Sequence, residues 1–325
     1  MEQRFLPGML PGLLRVAEAA RRNPGRKAHD ALRVLDGAVH RGEANWILEA
    51  DIVSFFDRLD RKHLKELLQK RLADKSLMRL IGKCLHVGVL DGGVVQSPET
   101  GTVQGSTLSP LLANVYLHHV LDLWFEQEVK PRLRGKGILI RYCDDFVICF
   151  ERRDDAERVK DVLGKRLGRY GLELHPDKSR LLDFRRPSLM HRGKGPSTFD
   201  FLGFTIFWKR SRRGRWYMGT KTRVSRLRRA KKAASQWCRR HRHWPVKEQH
   251  AALVKRIQGH FNYFGVQGNT RSLGLLVLAV RRAWFKWLNR RSQRSTLNWE
   301  RFNALLADYP LPKPVARTSL WDEAT

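Results

Sequence analysis

Ile138-Leu-Ile-Arg-Tyr142 and Phe146-Val-Ile-Cys-Phe150 are two short apolar runs separated by Cys143-Asp144-Asp145. Runs of this length, rich in β-branched and aromatic residues and broken by polar turn formers, predict a β-hairpin carrying acids at its turn. Upstream, Trp46, Leu48, Ala50 and Ile52 alternate with Glu49 and Asp51, which predicts a half-buried strand ending at an acid. A helix is expected from near Asp60, with Leu64, Leu67, Leu68 and Leu72 as its buried stripe. Ser109-Pro110, a capping hydroxyl followed by a first-turn proline, starts another that runs on through Leu112, Val115, Tyr116, His119, Leu123 and Trp124.

Downstream of the hairpin, a helix is expected over about 155–169, then a short strand from Gly171 to His175 and Pro176. Thr198–Trp208 and Arg215–Met218 predict a second hairpin around the basic turn Arg210–Gly214. Beyond residue 220 the pattern is helical. Leu273, Val277, Val280, Trp284 and Leu288 share one face, and Pro310, Pro312 and Pro314 mark an extended tail. The chain reads as a mixed α/β part followed by a helical one, with no internal repeat.

Charge divides the same way. The 325 residues hold 63 Lys and Arg against 32 Asp and Glu, a net charge of +31. Residues 201–325 hold 28 of these bases and only five acids, so +23 of the excess lies there. Ten tryptophans and a 42% apolar fraction exclude a disordered basic tail and imply a packed protein. A surplus this large argues against an ordinary metabolic enzyme and for a polyanionic partner, most commonly nucleic acid. Cys84, Cys143, Cys149 and Cys238 form no paired spacing, which argues against a disulfide framework and fits a reducing, cytoplasmic location. Cys238 with His241 and His243 lacks a second ligand group at zinc-finger spacing. The apolar run Leu273–Val280 is too short to cross a bilayer, so no membrane partner is expected.

Clustered acids on so basic a chain need a reason. Asp51 with Asp57, and Asp144 with Asp145, lie at predicted strand ends. Carboxylates brought together there make a hard-oxygen site suited to Mg²⁺, and two such ions roughly 4 Å apart suit phosphoryl chemistry. The plainer alternative is that they are turn and cap acids, and Asp57 and Asp60 read better that way.

Asp51-Ile-Val-Ser-Phe-Phe56-Asp57, Gln104-Gly-Ser-Thr-Leu-Ser-Pro-Leu-Leu-Ala-Asn114 and Tyr142-Cys-Asp-Asp145 together resemble the palm motifs of reverse transcriptases. Gly171-Leu-Glu-Leu-His-Pro-Asp-Lys178 and Phe199-Asp-Phe-Leu-Gly-Phe204 resemble the two that follow. His260-Phe-Asn-Tyr-Phe-Gly265, Trp284–Arg291 and Tyr309-Pro-Leu-Pro312 are similar to the thumb, or maturase, region of group II intron-encoded proteins. A lone Tyr-x-Asp-Asp recurs by chance, so the ordered set carries the resemblance.

The resemblance implies an α+β fold: a right-hand polymerase palm with partial fingers over 23–208, then a basic α-helical thumb or maturase domain over 209–325. Residues 1–22 do not resemble the family's N-terminal portion, and the expectation is a chain truncated at its front. By the same resemblance Asp51, Asp144 and Asp145 are the catalytic acids, holding two Mg²⁺ ions with the backbone carbonyl of Ile52. Lys178 corresponds to a lysine that helps protonate the departing pyrophosphate; the alternative is one solvated lysine among many. Phe56 would lie under the incoming sugar and exclude a 2′-hydroxyl, with Phe55 the better core residue. Gln104 and Gly105 would flank the nascent pair. Phe201, Leu202 and Gly203 correspond to the primer grip, or else to a plain hydrophobic strand. Arg212, Arg213, Arg228, Arg229, Lys231, Lys232, Arg281 and Arg282 are candidates to contact RNA.

The implied function is an RNA-directed DNA polymerase of a group II intron with maturase activity. Its partners would be intron RNA as template, a DNA target or primer and dNTPs; the oligomeric state is not legible. Two alternatives stay open: a polymerase-inactive RNA-binding maturase, and a retron or defence-type reverse transcriptase. No paired-cysteine endonuclease module is recognisable, so target-strand cleavage is not expected.

Overall fold

The computed structural model describes residues 27–70, 72–86, 89–91, 94–96, 109–193, 195–292 and 297–320. They fall into two compact units divided between His191 and Arg192.

In the first unit, α1 (Ala28–His40) leads into strand β1 (Trp46–Ala50). The short α2 (Phe55–Arg58), α3 (Arg61–Gln69) and α4 (Lys75–His86) follow, then a small hairpin of β2 (Val89–Asp91) and β3 (Val94–Gln96). Asp60 caps α3, its carboxylate accepting from the amides of Lys62 at 2.7 Å and His63 at 3.1 Å. Helix α5, described over Ser109–Leu117, passes into π-helical turns over His118–Asp122 and Phe125–Val129. Strands β4 (Gly137–Tyr142) and β5 (Asp145–Phe150), helix α6 (Arg153–Gly168) and strand β6 (Arg180–Asp183) complete the unit.

The main sheet is antiparallel with strand order β4-β5-β1-β6. One face carries Leu48, Ala50, Leu139, Phe146, Ile148 and Phe150 into a core shared with Val159, Leu163 and Leu167 of α6. Burying a side chain of this size stabilises by about 1.5–3 kcal/mol, so this face holds the sheet to its helices. Ile47, on the opposite side of β1 from Leu48, is also fully buried; the predicted half-exposed strand is covered on both faces at this end.

The expected strand Gly171–His175 is not one. That stretch makes a single antiparallel bridge, Leu174 to Ile52, and the true edge strand is β6, which pairs with β1 from Trp46↔Asp183 to Glu49↔Arg180. Its charged ends hid it from the apolar pattern: Arg180 is exposed and donates to Glu49 at 2.8 Å.

In the second unit, β7 (Thr198–Phe201), β8 (Phe204–Arg210) and β9 (Trp216–Thr222) form a three-stranded antiparallel sheet. Thr198–Trp208 is therefore not a continuous strand but a hairpin of its own, closed by Leu202 and Gly203. Both turn residues have positive φ, 52° and 76°, the signs of the turn that matches strand twist. Helices α7 (Val224–Arg240), α8 (Val246–Phe264), α9 (Thr270–Leu288) and α10 (Trp299–Asp308) pack around Trp237, Ile257, Phe261, Leu276, Trp284 and Phe302. On α9 the buried stripe includes Leu276, while Val277 is only half-buried.

The boundary between units lies ahead of the expected 208/209 because the sheet belongs with the helices. Buried Asn269 donates to Thr222 Oγ1 at 2.8 Å and accepts from the Thr222 amide at 2.9 Å, tying β9 to the α8–α9 connection. Among the described residues no helix is long and apolar enough to cross a membrane.

Candidate active site

Strand register decides which acids meet. β1 pairs with β5 from Trp46↔Phe150 to Ala50↔Phe146, so continuing one step sets Asp51 opposite Asp145. β4 pairs with β5 out to Tyr142↔Asp145, leaving Cys143 and Asp144 as a two-residue turn. Alternation along the strands puts Asp51 and Asp145 on the Glu49 side of the sheet, away from the α6 core. Asp51 is half-buried, while Asp144 and Asp145 are exposed.

The next segment pins Asp51 from behind. The His175 amide donates to the Asp51 carbonyl at 2.7 Å, and the Val53 amide donates to the Glu173 carbonyl at 2.9 Å. These two bonds flank the Ile52–Leu174 bridge and do not use the carbonyl of Ile52. The chain then turns so that Lys178 Nζ donates to Asp51 Oδ2 at 2.7 Å. Lys178 is thus drawn to the acid cluster rather than standing free in solvent.

The donor set is all hard oxygen, which suits Mg²⁺ chemically. It is not a preformed cage. Among the described residues no three carboxylate, histidine or cysteine groups converge as a metal site, and one oxygen of Asp51 is turned to Lys178.

Phe55 is buried in the core, and Phe56 is half-buried, its ring meeting that of Phe55 edge-on at 5.3 Å. Ser54, which precedes them, has φ 44°, a sharp reversal that carries the chain from β1 into α2. Gln104 and Gly105 lie outside the described residues.

Sequence reasoning missed the polar group behind the turn. Arg141 shares the inward face of β4 with Leu139, and its side chain is 5% exposed. Its guanidinium donates to both oxygens of Asp122, at 2.7 and 2.5 Å, to Asn114 Oδ1 at 3.0 Å and to the Cys143 carbonyl at 2.8 Å. Burial pushes the Asp122 carboxyl up, but hydrogen bonds from Arg141 and His118, with their charges, outweigh it and hold it below the usual range. The available signal was a charge at an inward position of an apolar strand.

In the second unit, Phe201 and Leu202 are buried, so the turn formed by Leu202 and Gly203 presents backbone rather than side chain. Tyr263 of α8 donates its hydroxyl to the Leu202 carbonyl at 3.0 Å. Arg212, Arg213, Arg228, Arg229, Lys232 and Arg282 are exposed, and Lys231 is half-buried. Arg281 departs from the set. It lies half-buried, donates to Asn303 at 2.5 Å and sits over the Trp299 ring at 5.9 Å, bracing α9 against α10.

Residues 16–206 match the family described as reverse transcriptase (RNA-dependent DNA polymerase). The match starts inside the 1–22 segment in which sequence reading found no resemblance. Protein YkfC of Escherichia coli strain K12 is 28% identical over 223 residues, covering 59% of this chain and 55% of YkfC. The group II intron-encoded protein LtrA of Lactococcus lactis subsp. cremoris is 35% identical over 116 residues, covering 34% of this chain and 19% of LtrA. The chain thus spans about half of the first relative and about a fifth of the second. Among solved structures, telomerase from Candida albicans in complex with a fragment of telomeric RNA aligns with a TM-score of 0.51 at 15% identity. That alignment covers 92% of this chain and 50% of the telomerase chain, a likeness of fold.

Proposed function

The chain belongs to the reverse transcriptase (RNA-dependent DNA polymerase) family, and on that premise we propose that it extends a DNA 3′ end along an RNA template using dNTPs. We assign it to the group II intron type, with intron RNA as template and as the partner whose splicing it assists. The observation that carries the polymerase reading is the register that sets Asp51 opposite Asp145, beside the turn acid Asp144. Similarity to LtrA supports the intron assignment.

Asp51, Asp144 and Asp145, with the Ile52 carbonyl, are the groups that would hold two Mg²⁺ ions. When bound, Mg²⁺ supplies Lewis-acid activation of the attacking 3′-hydroxyl and neutralises charge on the leaving pyrophosphate. The protein's own groups do the rest. The ammonium of Lys178, held at Asp51, stands at the acid cluster as a proton donor to the departing oxygen. Phe56 offers its half-buried ring to the sugar, where bulk disfavours a 2′-hydroxyl. The Leu202-Gly203 turn contacts the primer strand through its backbone; Gln104 and Gly105, outside the described residues, keep the role that the resemblance implies.

In the second unit the exposed cations of α7, α9 and the β8–β9 turn bind RNA by phosphate and shape contacts. Arg281 is left out of this set because its guanidinium is committed to α10.

Primer extension on an RNA template with dNTPs and Mg²⁺ tests the reading. Asp144→Ala is expected to abolish synthesis while leaving the fold intact. Absence of synthesis by the unmodified chain, or full synthesis by the variant, defeats it. Splicing assistance that persists in the absence of synthesis would instead support the RNA-binding maturase.

A further inference from the structure

The Cys143-Asp144 turn is strained. Cys143 has φ 58°, the left-handed region, and Asp144 does not. A two-residue hairpin loop with positive φ at its first residue only has the φ signs of a turn that normally takes glycine there. A non-glycine residue held in this region costs on the order of 1–3 kcal/mol and persists only where its surroundings over-determine it.

One buried guanidinium supplies a hydrogen bond to this turn. Its Nη1 donates to the Cys143 carbonyl, so the bond falls on the strained residue itself, immediately before Asp144. The same nitrogen donates to Asn114 on α5, and the opposite edge is taken by Asp122 on the π-helical turn. Four hydrogen bonds thus employ most of the five donors that a guanidinium offers. Arg141 is almost fully buried, and so is its counter-ion. A buried charge with one anchor missing is costly, so the set holds together or fails together. Lysine cannot replace it, since a single nitrogen lacks the planar fork that reaches three partners in different directions.

We propose that Arg141 is a positioning residue, which suspends the Cys143-Asp144 turn from Asn114 and Asp122 and thereby fixes where the Asp144 and Asp145 carboxylates stand. Its consequence for catalysis rests on the polymerase reading above; the tether itself does not.

The test uses the full chain, the variants Arg141→Lys and Asp122→Asn, and the double variant. The second alters the guanidinium's far edge, away from the Cys143 carbonyl. Hydrogen exchange read on the peptide spanning residues 141–147 reports the turn without any need for synthesis. Single-nucleotide addition on an RNA template reports kcat and the KM for dNTP.

In Arg141→Lys the turn amides are expected to exchange at least about tenfold faster, with β6 and α6 unchanged. The expected fall in kcat is about 100-fold, the scale for an acid displaced by about 1 Å, with KM close to that of the unmodified chain. Asp122→Asn is expected to loosen the same amides to a lesser degree. The double variant is expected to add little to Arg141→Lys, because both act through one group.

Turn amides that exchange as in the unmodified chain in both variants overturn the tether. A loss of kcat no larger than the unfolded fraction measured by circular dichroism overturns the positioning role. Should Arg141→Lys fail to fold, Asp122→Asn alone decides, with unchanged turn exchange overturning the proposal and local loosening upholding it. Absence of synthesis by the unmodified chain defeats the polymerase reading instead, and the exchange data still decide the tether.

Discussion

Lys178 Nζ stands 2.7 Å from Asp51 Oδ2, a contact between residues 127 positions apart that closes the segment after α6 onto the end of β1. Both partners are about half exposed, at 54% and 48%, so water screens much of their attraction. Such a pair contributes about 0–1 kcal/mol to stability. Its value to the protein is therefore local order at the acid cluster rather than stability of the fold.

Lys178→Met is accordingly expected to leave the melting temperature within a few degrees of the unmodified protein. Nucleotide addition should fall by roughly 10²–10⁴-fold, the range for loss of a positioned proton donor. Paired thermal melts and single-turnover kinetics check it. A large loss of stability with full activity would reverse the assignment.

Adjacent rings separate fold from selectivity. Phe55→Ala opens a cavity in the core and is expected to cost about 3–5 kcal/mol in a denaturant titration. Phe56→Ala removes a half-buried ring and should cost less. It should instead raise incorporation of ribonucleotides relative to deoxyribonucleotides, by about 10- to 100-fold in competitive extension assays.

Cys143→Gly removes the penalty of a left-handed side-chain residue in the turn. The variant is expected to be more stable by about 1 kcal/mol, or roughly 2–4 °C in a thermal melt. Cys143→Val, β-branched at the same φ, should shift the melt the other way.

His260 on α8 supplies a pH dependence. Burial alone holds its imidazole down at about 4, and its Nε2 has no hydrogen-bond partner. The unfolded chain titrates this group near 6.5, so below that pH the unfolded state takes the proton first. The contribution is complete above about 6.5 and is lost as pH falls from there through 4. Melts across this window should show the unmodified protein losing stability as pH drops while His260→Leu keeps a flatter profile, so the difference between them shifts in the variant's favour.

Local grammar made much of the fold legible in advance. The β4–β5 hairpin and the Asp60 cap each follow from a few neighbouring residues whose side chains set φ and ψ or fill one face. What escaped is long-range or polar. β6 is an edge strand whose Arg180 and Asp183 conceal it, and its partner β1 lies far away in the chain. The break at Leu202-Gly203 required reading a leucine into a left-handed conformation, which sequence does not announce. For the site, the ordered acids were visible, whereas the engagement of Lys178 with Asp51 and of Arg141 with Asp122 depends on pairings that carry no periodic signature.

The hydroxyl of Tyr263 on the Leu202 carbonyl carries a mechanical meaning. Beside it, Phe204 stacks on Tyr263 at 6.0 Å and meets Phe264 at 5.2 Å, so the hairpin tip is clasped by the last turn of α8 from two sides. A displacement of that helix end travels to the tip with little slack, because it is carried by a short bond and packed rings rather than by a loop. The tip behaves as the end of a stiff arm whose root is the helix bundle, and load applied to the bundle is felt at the tip's backbone.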